Sequence, residues 1–72
     1  MAQSGAQKVE NENVLIKIWP EDDAWRGKVR FLPVGQIVDF VAENEPSAKE
    51  EAQRIAGQTD LHWQPSQEVA TD

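Results

Sequence analysis

Trp25-Arg26-Gly27-Lys28-Val29-Arg30-Phe31-Leu32 changes character at every residue. Trp25, Gly27, Val29 and Phe31 fall on one side, and Arg26, Lys28, Arg30 and Leu32 on the other. That period of two marks a half-buried strand. Upstream, Val14-Leu15-Ile16-Lys17-Ile18-Trp19 is β-branched and aromatic, as a strand requires. Pro20 has no N–H for a ladder and is expected to end that run. Glu21-Asp22-Asp23-Ala24 then reads as the hairpin connection. Downstream, Pro33-Val34-Gly35 marks a second turn, and Gln36 to Glu43 resumes strand character. There Val38, Phe40 and Ala42 share one face and Ile37, Asp39 and Val41 the other.

Register follows from burial. An antiparallel first hairpin must place Ile16 and Ile18 on the same face as Trp25, Gly27 and Val29, because a one-residue slip would set isoleucines under arginines. The same reasoning expects Phe40 near Val29, and Asp39 close to Arg30 on the opposite face. Gly27 in mid-strand predicts a bulky neighbour, a Trp ring or the helix.

After Glu43 the periodicity becomes helical. Ser47-Ala48-Lys49-Glu50 fits a capping box, Ala48, Ala52, Ile55 and Ala56 form one narrow apolar stripe, and Gly57 supplies the stop. Leu61-His62-Trp63 covers the end of the core or adds a short fourth strand. The expected fold is α+β, a three-stranded antiparallel β-meander with one C-terminal helix packed on one face. Residues 14–63 form that single small domain. The polar stretches 1–13 and 64–72 bury too little to offset their ordering entropy and are expected to be disordered tails.

Composition narrows the chemistry. The 72 residues contain 7 Lys plus Arg against 13 Asp plus Glu, a formal charge of −6, which argues against a general nucleic-acid coat. There is no Cys and a single His, so neither a disulfide framework nor a thiolate metal site is expected. No apolar run approaches the roughly 20 residues of a membrane span, and no secretory leader pattern opens the chain. These features point to a cytoplasmic protein without membrane contact.

A nucleophile–base pair would have to join His62 to Ser4, Ser47, Ser66 or a Thr, and Ser47 is better explained as a helix cap. The paired acids Glu21-Asp22-Asp23 and Glu50-Glu51 lack both a cleft and the spacing of a calcium loop. The four glycines are scattered, so no phosphate loop exists. We expect a non-enzyme without cofactor or metal.

The outer face of the meander is the local anomaly. Lys17, Arg26, Lys28 and Arg30, four of the seven cations, project from it beside Leu15, Trp19, Leu32, Ile37 and Val41. This mixture suits contact with another protein or with a second copy of the chain. Leu15, Lys17, Trp19, Arg26, Lys28, Arg30, Ile37 and Val41 are the candidate binding residues. An unpaired strand edge offers a second route. Three alternatives stand beside this reading. The face binds single-stranded nucleic acid. It is simply solvated, with Arg30 paired to Asp39. Or the chain is an acidic inhibitor mimicking nucleic acid through Asp22, Asp23, Glu50 and Glu51. The acidic turns and termini, for their part, suit a basic partner surface.

Ile16-Lys17-Ile18-Trp19-Pro20-Glu21-Asp22-Asp23-Ala24-Trp25, Val29-Arg30-Phe31-Leu32-Pro33-Val34-Gly35 and Ser47-Ala48-Lys49-Glu50-Glu51-Ala52 together resemble the HicB-like antitoxin module. The likeness spans roughly Ile16 to Gly57. It implies a partial double-stranded-RNA-binding fold and a role in neutralising a small toxin ribonuclease. The chain departs from the family pattern in three places. Arg30-Phe31 stand where the family has Pro-Asp, Glu51 stands where Ala would follow Glu50, and no DNA-binding segment follows Trp63.

Overall fold

A computed structural model describes residues 5–66. Five strands and one helix follow in order: β1 (Gln7–Glu10), β2 (Val14–Glu21), β3 (Ala24–Phe31), β4 (Ile37–Ala42), α1 (Glu45–Ala56) and β5 (Gln64–Pro65). The fold is α+β, but the meander gains two strands. All the strands pair antiparallel, in the spatial order β4-β3-β2-β1-β5.

The β2–β3–β4 register is the one that burial demands. Ile16 lies opposite Val29 and Ile18 opposite Gly27, so the isoleucines and the Trp25 side of β3 share one face. Phe40 lies opposite Gly27, whereas Val38 takes the place across from Val29. The bulky neighbour of Gly27 is therefore the Phe40 ring: a Cβ added to Gly27 would sit 2.2 Å from the ring's Cζ. Glycine allows the ring to lie flat over the strand.

Pro20 does not end β2. The strand runs on to Glu21, with Pro20 opposite Trp25. Leu32 N–H donates to the Asn13 carbonyl, which fixes the alternation of the β2–β3 ladder. Counting along it, Pro20 falls at a position that owes no bond to β3. On its other side β1 has already ended, at Gln7 opposite Ile18. The missing N–H thus costs the sheet nothing.

Residues 1–13 are not simply a tail. Gln7–Glu10 pair with β2, and Val9 is only 1% exposed, opposite Ile16. Asn11 makes the connection by accepting from the N–H groups of Asn13 and Val14. At the other end the additional strand lies at Gln64–Pro65, after Leu61-His62-Trp63, and pairs with β1. Residues 64–66 are therefore ordered as well. The rest of the two expected tails, 1–4 and 67–72, lies outside the described residues.

The N-cap of helix α1 lies three residues before the expected one. Asn44 is the N-cap, its Oδ1 accepting from the Ser47 N–H at 2.9 Å, and Pro46 occupies the first turn. Pro46 has no N–H to leave unsatisfied there. Ser47 thus lies inside the helix. At the other end Gly57 adopts φ 75° and its N–H returns to the Gln53 carbonyl, as expected of a left-handed stop. Ala48 and Ala52 are fully buried, so the alanine stripe brings the helix close against β2, β3 and β4. Val9, Val14, Ile16, Ile18 and Val29 are the largest fully buried side chains, each worth about 1.5–3 kcal/mol. Trp25, Phe31, Ile55, Leu61 and Trp63 pack around that cluster.

Candidate interaction face

With the helix on one side, the opposite side of the sheet is left to solvent among the described residues. The register arranges its side chains in rows across the strands. Glu10, Leu15, Arg30 and Ile37 form one row. Gln64, Lys8, Lys17, Lys28 and Asp39 form the next. Trp19, Arg26 and Val41 form the third. All eight residues read from the sequence as candidates lie here together. Lys17, Arg26, Lys28 and Arg30 are exposed, Leu15 and Trp19 half-buried, and Ile37 and Val41 are 51% and 59% exposed. Leu32 is not on this face; it lies in the turn after β3.

Lys8 completes the middle row and was hidden from sequence reasoning. It places three lysines side by side on neighbouring strands. Asn11 N–H donates to the Val14 carbonyl, and alternation from that bond makes Lys8–Lys17 a non-hydrogen-bonded pair. Side chains of such pairs stand closest, and like charges placed directly opposite are destabilising. The signal available in the sequence was the short alternation of Gln7, Lys8, Val9 and Glu10, only four residues long.

Counter-charges are few but placed at the margins. Lys8 Nζ lies 3.4 Å from Glu10, and Arg26 Nε lies 2.6 Å from Glu21 on the same face. The expected Arg30–Asp39 pair is not formed among the described residues, because Asp39 lies across from Lys28 and Arg30 across from Ile37. The Arg30 guanidinium extends toward Gly35 instead, 3.9 Å from where a Cβ there would stand. On the face as a whole Lys8, Lys17, Arg26, Lys28 and Arg30 meet Glu10, Glu21 and Asp39, so a patch of net positive charge sits on a chain of −6.

The chain matches no family model, no curated protein and no solved structure.

The acids read as a nucleic-acid mimic lie on two separate elements. Asp22 and Asp23 occupy the β2–β3 turn, with Asp22 at φ 57°, while Glu50 and Glu51 are on α1, where Glu51 accepts from Arg54 at 2.9 Å. Among the described residues no three His or acidic groups come together as a metal site. His62 is exposed on the segment between α1 and β5, and Ser47 is committed to the first helical turn. No helix among the described residues is long and apolar enough to cross a membrane.

Proposed function

We propose that this chain is a non-enzymatic interaction module that docks an acidic patch of a partner protein on the outer face of its sheet. The observation that carries this reading is the Lys8–Lys17–Lys28 row. Strand register gathers three lysines into one row on neighbouring strands, and this local concentration of positive charge suits the carboxylates of an acidic partner patch. Leu15, Trp19, Ile37 and Val41 flank the row and supply apolar contact of the kind protein interfaces use. The net charge of −6 weighs against a polyanion as long as a nucleic acid, whose approach the rest of the chain would oppose.

A role like that of the HicB-like antitoxins, which the resemblance implies, is a narrower form of the same reading. There the neutralised protein would contribute the acidic patch, and a small toxin gene beside this one would support it. A basic toxin surface would engage the acidic turn and helix instead.

The test is co-purification of the full chain from its own cells, with and without nuclease, followed by identification of the bound molecules. The expected result is one protein retained after nuclease, released by high salt, and lost from the Lys17→Glu/Lys28→Glu variant. A partner that nuclease removes would show that the face reads nucleic acid. A partner indifferent to the two reversals would remove the outer face from the account.

A further inference from the structure

The two edges of the sheet are built differently. The β5 edge is two residues long and includes Pro65, both devices that discourage further strand pairing. Strand β4, at the other edge, is six residues long and pairs regularly with β3 from Ile37 to Ala42, without a bulge, a proline or a lysine. Phe31 N–H donates to the Gln36 carbonyl at 2.8 Å, which sets the alternation of the β3–β4 ladder. Counting from that bond, Ile37, Asp39 and Val41 turn their N–H and C=O groups away from β3, toward the open edge. Their side chains are the exposed ones, with Ile37 and Val41 apolar.

We infer that the chain forms a two-fold dimer in which β4 pairs antiparallel with β4 of a second copy, centred on Asp39. The sequence of β4 is apolar in mirror fashion about that residue. Ile37 would meet the second copy's Val41 on the outer face, and Val38 would meet its Phe40 on the helix-covered face. A two-fold interface requires this self-complementarity, since every contact away from the axis occurs twice. In this register the residues with outward backbone groups are the ones that face each other, so every pair can exchange two hydrogen bonds.

Charge complementarity also selects a second copy. Glu43 and Gly35 lie just beyond opposite ends of β4, so this register brings the second copy's Glu43 to the end where Gly35 lies, beside the Arg30 guanidinium. Arg30 and Glu43 form no ion pair among the described residues. The dimer would supply one to each, twice by symmetry. The opposing element is the central Asp39–Asp39 contact, moderated by the Lys28 that lies across from each carboxylate. This inference does not rest on the docking reading, because it uses the strand edge and not the lysine row.

Sedimentation equilibrium of the full chain, across a wide concentration range, tests it. The expected result is a monomer–dimer equilibrium. Asp39→Asn should tighten the dimer by up to about fivefold by removing the like-charge contact. Val41→Lys places a charge on the open edge and should leave a monomer with an unchanged circular-dichroism spectrum. Arg30→Glu should weaken the dimer, and adding Glu43→Arg should restore it. A chain that stays monomeric throughout overturns the inference. So does a dimer that survives Val41→Lys, and so does an Asp39→Asn variant that associates no better than the parent.

Discussion

The two faces of the sheet contain similar numbers of residues from the same strands, yet they are held to opposite requirements. On the inner face each position touches its neighbours closely enough that one atom matters, as with Gly27 under Phe40. On the outer face the register sets Lys8, Lys17 and Lys28 across from one another, like charge against like charge. One face answers to the fold, while the other tolerates a charge arrangement that folding alone would not favour.

Substitutions should separate the two faces by size of effect. Ile18, fully buried between β1 and β3, is the most severe case: Ile18→Ala should cost about 4 kcal/mol, enough to leave a chain of this size mostly unfolded in thermal melts. Gly27→Ala should cost about 2–3 kcal/mol, read from urea unfolding, because the Phe40 ring must leave its place. If that variant were as stable as the parent, the close packing of the inner face would be wrong. Asn44→Ala removes the acceptor for the Ser47 N–H and should cost about 1 kcal/mol, whereas Ser47→Ala should cost less, since Ser47 lies inside the helix. Smallest of all, Lys8→Gln and Lys28→Gln should each move stability by no more than about 0.5 kcal/mol while weakening partner capture. A lysine variant that unfolded the chain would abolish the distinction between the faces.

The sequence displayed the outer face better than it displayed the sheet's extent. Strict alternation from Trp25 and the β-branched run from Val14 placed Leu15, Lys17, Trp19, Arg26, Lys28, Arg30, Ile37 and Val41 correctly, because a period of two leaves only one register that buries the isoleucines. Strand β1 was not legible. A lone Val9 amid polar residues gives no periodic signal, and its burial depends on Ile16 already lying in place across the ladder. Missing β1 hid Lys8, and with it the row that now defines the face. Pro20 departs from its expected role for a related reason: whether a proline breaks a ladder depends on which neighbours remain at that height, and β1 stops just short of it. The helix start moved to Asn44 because Asn caps as well as Ser does, and Pro46 is at home in a first turn. Composition could not choose between those two caps.

The net charge of the chain concealed its arrangement. Acids occupy the β2–β3 turn and helix α1, and cations gather on one sheet face, so the molecule presents two surfaces of opposite character. Photo-cross-linking tests most directly whether the cationic one is a docking surface. A photoreactive phenylalanine analogue replaces Trp19, on the outer face, in one variant and Gln53, on the helix, in another, and both full chains are irradiated in their own cells. The expected result is a single protein adduct from position 19 that disappears when Lys17 and Lys28 are reversed to Glu, with no such adduct from position 53. An adduct formed equally from position 53, or one from position 19 that ignores the two reversals, would contradict it.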